Sequence, residues 1–185
     1  MSARSRMLPA AAALSMALAL ALPACTTTES VPAAPAQDEV TMQSTLLERF
    51  TTPAEGIHAG GRITADDLPA LHAAGIRHVI DLTQDSETPG FDEADAVRAA
   101  GMRYDNLPIA GPADLDREAV VAFDQLLRAA DGPTLVHCAS GNRVGALAAL
   151  RAAWLQGADA DAAVEEGRRW GLRGLEDAVR ERLAR

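Results

Sequence analysis

One stretch limits the fold more than any other: Pro133-Thr134-Leu135-Val136-His137-Cys138-Ala139-Ser140-Gly141-Asn142-Arg143-Val144-Gly145. A short β-branched and apolar run ends in His-Cys, small residues follow, and a helical pattern opens beside an arginine. That order predicts a strand, a loop able to close around an anion, and a helix N-terminus. Small residues at 139–141 let successive backbone N–H groups turn inward, and a helix start adds about half a positive charge at the same point. Cysteines in such positions ionise more readily than free ones. Arg143 offers a planar, permanently charged fork for a tetrahedral oxyanion. The chemistry implied is attack by the Cys138 thiolate on an anionic substrate, with His137 orienting the loop and helping to hold the thiolate. The inert alternative makes Cys138 a small buried hydrophobe and His137 a strand-end residue satisfied by backbone.

The other end of the 185-residue chain reads as a targeting segment. Arg4 and Arg6 precede Leu8–Leu22, almost wholly Ala, Leu and Met, and Pro23-Ala24-Cys25 follows. The run is short for a membrane span and ends in a small residue, the pattern of a cleaved signal over residues 1–24. Leu22-Pro23-Ala24-Cys25 resembles a bacterial lipobox. The resemblance implies that Cys25 is lipidated, that the protein faces the periplasm, and that Thr26 favours the outer membrane. Residues 25–43, rich in Thr, Pro and Ala, read as a disordered tether. A lipidated Cys25 leaves Cys138 without a disulfide partner in an oxidising compartment, so its retention fits an inert core position or a nucleophile.

Every basic residue is Arg, and the chain has no Lys. With Arg4 and Arg6 removed, 15 Arg face 26 Asp and Glu, a net charge of −11. An acidic surface repels polyanions, which argues against nucleic acid as partner and leaves the lipid as the only membrane contact. Any anion must be captured locally, as at the loop from 138 to 143.

Residues 44–185 read as one domain. Gly56–Gly61 predicts a short edge strand. Thr64 caps a helix over 65–74 that Gly75 closes, and 76–82 predicts a central strand covered on both faces. A polar loop over 83–90 precedes a helix over 91–100, and 102–107 predicts the third strand. Gly111-Pro112 breaks the loop 109–115, and Asp116 caps a helix to Ala130. The cysteine strand follows, then a buried helix marked by Val144, Leu147, Leu150, Trp154 and Leu155, and two shorter helices, 160–170 and 172–183. Strands alternating with helices predict an α/β three-layer sandwich with a short, mostly parallel central sheet, whose ligand site lies at the strands' C-terminal ends. His58, His72, His78 and His137 fit no usual zinc spacing, so no metal is expected. His72 and His78 read as ordinary partly buried residues.

Ile57–Leu82, IHAGGRITADDLPALHAAGIRHVIDL, resembles the opening of dual-specificity phosphatases, and LVHCASGNR resembles their cysteine loop. Together they are similar to the bacterial beta-lactamase-hydrolase-like phosphatase domain, a branch of the protein tyrosine phosphatase-like superfamily. The resemblance covers residues 44–185. It implies Cys138 as the nucleophile forming a phosphocysteine, Arg143 and the amides of Ala139, Ser140, Gly141 and Asn142 as phosphate holders, and His137 as the residue that tunes the thiolate. It implies no cofactor, and a phosphorylated protein or small phosphoester as substrate. The general acid in such enzymes is an Asp after the third strand. Asp114 sits there, with Asp105 as the other candidate; Asp114 also reads as a solvated loop residue or a cap. Asp81, ending a strand, reads as pinning a loop backbone.

Two features depart from the phosphatase pattern. Four residues rather than five separate Cys138 from Arg143, and Val144 stands where a Ser or Thr usually follows. Loops of this shorter length are typical of rhodanese-like sulfurtransferases, which carry a persulfide. Three readings therefore stand open: a cysteine-dependent phosphatase, a sulfurtransferase using Cys138, and a lipid-tethered anion-binding module.

Overall fold

Two fully buried strands carry the fold of the computed structural model, which describes residues 45–185. The expected signal over 1–24, Cys25 and the tether to residue 43 lie outside the described residues. The strands are β1 (Thr51–Ala54), β2 (Ile57–Gly60), β3 (His78–Asp81), β4 (Arg103–Asn106) and β5 (Thr134–His137). They lie in the order β1-β2-β5-β3-β4. β2, β5, β3 and β4 run parallel, and β1 pairs antiparallel with β2. The sheet is thus mixed and mostly parallel, as expected. β2, however, is not an edge: Thr51–Ala54 adds a strand outside it. That strand was not legible, because four residues containing Pro53 show no two-residue alternation of apolar side chains.

Side chains alternate across the sheet and seed two cores. Val79 and Leu135 pack on one face with Leu68, Leu71 and Val97, from helices α1 (Leu68–Ala73) and α2 (Glu93–Ala99). Ile80 and Val136 pack on the other with Val120, Phe123, Leu147 and Leu150, from α3 (Arg117–Arg128) and α4 (Asn142–Gln156). Two further helices, α5 (Ala160–Arg169) and α6 (Glu176–Leu183), complete that second layer. The architecture is the expected α/β arrangement of a sheet between helices.

Two boundaries move for local reasons. The helix expected over 65–74 opens with a 3-10 turn at Ala65–Asp67, where Asp67 Oδ2 accepts the Thr64 N–H at 2.8 Å and its hydroxyl at 3.0 Å. The α-helix proper begins at Leu68, with Pro69 in the first turn, where a missing N–H costs nothing. The last helix, expected from 172, begins at Glu176, because Arg173 and Leu175 donate their N–H groups to Asn142 Oδ1, at 2.9 and 3.3 Å. His78 is also more enclosed than expected: it is fully buried, with Nε2 2.8 Å from Asp105 Oδ2. Burial lowers its proton affinity, against the opposing pull of Asp105.

α4 is apolar around most of its circumference and lies within the core. It crosses α5 very closely: a Cβ on Gly145 would lie 2.6 Å from the Gly167 carbonyl oxygen and 2.1 Å from the Leu172 nitrogen. Only glycine fits there, and this close crossing fixes the start of α4 against the rest of the layer.

Candidate active site

The parallel register brings the strand ends together. His137 stands opposite both Gly60 and Asp81, so β5 releases Cys138 at the centre of the sheet's C-terminal edge. The Cys138 N–H still donates to the Gly60 carbonyl at 3.2 Å, and then the chain turns. Gly141 makes the turn possible: its φ is +82°, in the left-handed region, and a Cβ there would press on the Gly60 backbone at 3.3 Å. From Gly141 the chain enters α4, whose first-turn amides have no intrahelical acceptor. The Gly141 N–H points back at the Cys138 sulfur at 3.1 Å. Ala139 and Ser140 form an exposed rim, while Cys138 is fully buried and contributes to the core. The Cys138 sulfur is thus closed to solvent in this structure.

Arg143 comes from the first turn of α4 and is held on several sides. Its Nη1 donates to Glu87 Oε1 at 2.7 Å and its Nη2 to Glu87 Oε2 at 2.6 Å, a two-pronged pairing. Nη1 also donates to the carbonyls of Leu82 and Ile109, at 3.3 and 2.5 Å. The Glu87 bond raises the guanidinium's proton affinity, burial opposes it, and the charge and hydrogen-bonding capacity of Cys138 raise it further. In return, the hydrogen bond from Arg143 holds the Glu87 carboxyl down to about 2.

That depression has a sign. A carboxylate with a folded pKa below its unfolded one contributes stability that is complete above the unfolded value, about 4.3, and disappears as pH falls through the folded value. Glu87→Gln is therefore expected to lower stability by about 1–2 kcal/mol at neutral pH. In urea titrations at several pH values, the gap between parent and variant is expected to narrow from about pH 4.5 towards pH 2. A gap independent of pH over that range would contradict the ion pair.

In front of the loop lies a groove of about 430 Å³, lined among others by Gln84, Glu87, Gly111, Ser140, Asn142 and Arg143. Asn142 stands on it, and its side-chain oxygen accepts from the Arg173 and Leu175 N–H groups, which ties the side chain to that turn. Asp114 is held elsewhere. Its Oδ2 accepts the Ala110 N–H at 2.7 Å, and the residue lines a separate depression with Leu107, Pro108 and Ile109. The expected general acid thus holds a backbone N–H of its own loop in this structure, neither a solvated loop residue nor the cap of α3, which is Asp116. Asp105 is further removed in role, paired on β4 with His78 and with Arg103 at 2.7 Å. Asp81 does pin a loop: its Oδ1 accepts from the Thr83 N–H and hydroxyl, each at 2.7 Å.

Two residues of the neighbourhood were missed in the sequence. Glu87 reaches Arg143 from 56 positions away, and its only local signature is the Gln84-to-Glu87 cap, with the Gln84 N–H donating to Oε1 at 3.0 Å. Glu93 is buried on α2 and meets His137 Nε2 at 2.6 Å. A signal existed for it: Glu93 stands four residues before buried Val97, on the inward face of an otherwise acidic helix.

Residues 48–155 match the family described as beta-lactamase hydrolase-like protein, phosphatase-like domain. The chain belongs to this family. Relatives from two bacteria bear the name beta-lactamase hydrolase-like protein. One, from Agrobacterium fabrum, is 34% identical over 93 residues, 48% of this chain and 21% of its own length. The other, from Xylella fastidiosa, is 33% identical over 100 residues, 52% of this chain and 23% of its own length. The chain therefore spans less than a quarter of those relatives. Among solved structures, a candidate phosphatase from Neisseria meningitidis shares the fold with a TM-score of 0.62 and 24% identity, over 73% of this chain and 96% of that one. Another from Shewanella putrefaciens superposes with a TM-score of 0.59 and 24% identity, over 76% and 95%.

Proposed function

We propose that the protein is a cysteine-dependent phosphatase acting on phosphate monoesters, phosphotyrosine among them. The observation that carries this reading is the Gly141 N–H directed at the Cys138 sulfur where the chain enters α4, the helix whose first turn carries Arg143. Membership of a family described as phosphatase-like supports it. In the first step the sulfur attacks phosphorus, the bond from phosphorus to the ester oxygen breaks, and that oxygen leaves and takes up a proton. In the second, water cleaves the S–P bond, releasing inorganic phosphate and returning the thiolate. Arg143 and the amides of the loop share the charge of the three equatorial oxygens. A phenolate leaves without prior protonation, so aryl phosphates are the substrates least dependent on a general acid. Asp114 takes part only if it releases the Ala110 amide.

A sulfurtransferase reading is favoured by one feature, the four-residue interval between Cys138 and Arg143, with buried Val144 in place of a hydroxyl. The test is a pair of assays on the full chain, one with p-nitrophenyl phosphate and one with thiosulfate plus cyanide. Phosphate release without thiocyanate is expected. Thiocyanate without phosphate release would replace the proposal by the sulfur-transfer reading, and protection against heat by phosphate with no turnover would make the protein a binding module. As to address, Leu22–Cys25 supports a lipid tether at the periplasmic face. Among the described residues, no helix is long and apolar enough to cross a membrane.

A further inference from the structure

Behind the cysteine loop, the ends of β3 and β5 and the first turn of α2 bring three ionisable side chains together inside the protein. Asp81 and Glu93 are each 4% exposed and His137 is fully buried. One donor atom from each lies within 4.8 Å of the others. His137 Nε2 is 2.6 Å from Glu93 Oε1 and 3.7 Å from Asp81 Oδ1. Buried carboxylates require compensation. Asp81 has it, from Thr83, from the Tyr104 hydroxyl at 2.9 Å and from Asn106 Nδ2 at 3.3 Å. Glu93 is only half satisfied: its Oε2 is sealed from solvent with no partner, and so is His137 Nδ1. Among the described residues, the only ion-pair partner of either carboxylate is His137. Two buried acids and one imidazole are thus a site short of positive charge.

We propose that Asp81, Glu93 and His137 bind one divalent transition-metal ion of the Zn²⁺ or Mn²⁺ class. One imidazole nitrogen with two carboxylate oxygens suits these ions, and lacks both the sulfur of a soft site and the six or more oxygens of a calcium site. Bonds of about 2.0–2.2 Å set neighbouring ligand atoms roughly 3.3 Å apart. The observed separations of 2.6 and 3.7 Å straddle that value. The ion replaces the proton shared by Glu93 and His137 with small side-chain movements. Asp81, oriented by Thr83, Tyr104 and Asn106, already has the outer hydrogen bonds that ligating carboxylates carry. Access is also provided. Asp81 and Glu93 line a cavity of about 720 Å³ whose walls include Asp85, Asp92 and Asp95. This acidic vestibule concentrates cations and repels phosphate, the reverse of the groove at Arg143. The bound ion joins β3, β5 and α2 one residue behind Cys138, so its role is to position the loop and not to react.

The test is calorimetric titration of the EDTA-stripped full chain with Zn²⁺ and, separately, Mn²⁺. One ion per chain and a raised thermal midpoint are expected. Glu93→Gln is expected to weaken binding roughly 10-fold or more, whereas Asp95→Asn in the vestibule and Cys138→Ser leave it unchanged. Electron paramagnetic resonance of the Mn²⁺ complex gives a readout that needs no variant, since nitrogen hyperfine coupling from one imidazole is expected. No saturable uptake of either ion, uptake by folded Glu93→Gln equal to the parent's, loss of uptake in Cys138→Ser, or a Mn²⁺ complex without nitrogen coupling would each overturn the proposal.

Discussion

Cys138→Ser is expected to reduce p-nitrophenyl phosphate hydrolysis by about a thousandfold or more, with the fold intact. The sulfur sits at the centre of the sheet edge and receives a main-chain donor, the Gly141 N–H, just before the helical turn that carries Arg143. A serine hydroxyl fits the same space and accepts the same N–H, so the structural consequence is small. The chemical one is large, because an alcohol oxygen is a far weaker nucleophile than sulfur. Initial-rate assays across pH, with circular dichroism on both proteins, check this. A serine variant that turns over normally would remove Cys138 from the chemistry whatever its surroundings.

The second large effect concerns architecture. Gly145→Ala is expected to destabilise the domain by about 3 kcal/mol or more, lowering the thermal midpoint by roughly 10 °C. The added Cβ would lie 2.1 Å from the Leu172 nitrogen and 2.6 Å from the Gly167 carbonyl oxygen. Both are backbone atoms, so no rotamer change relieves the clash and α4 must move away from α5. That shift also disturbs the Arg173–Leu175 turn held by Asn142, and with it the first turn of the helix that carries Arg143. Gly111→Ala serves as the control: its φ of 178° is ordinary extended backbone, and an added Cβ meets nothing within 4 Å. Near-equal thermal midpoints for the two variants would contradict the close crossing.

The two cases also show what can be read from sequence. The strand, loop and helix around Cys138 were legible because their residues are contiguous and each carries a local physical signal: β-branched, then small, then helical periodicity. The same holds for the caps at Thr64 and Asp116, where one side chain and a nearby N–H suffice. Contacts across the fold were not legible. Nothing near Glu87 announces Arg143, and nothing near Gly145 announces Leu172, because each pairing exists only once segments distant in sequence have packed together. Asp114 illustrates the converse. It stands where the family's general acid is sought, yet the local demand of the Ala110 N–H takes its carboxylate. β1 escaped notice because its strand character comes from its neighbour β2 and not from its own side chains.

The most direct test of the central claim is to quench the full chain in acid during turnover of p-nitrophenyl phosphate and weigh the peptide that contains Cys138. A phosphoryl group on that cysteine is expected, absent when Ser replaces it. Sustained phosphate release with the Cys138 peptide never modified, or with the phosphoryl group on another residue, would contradict it.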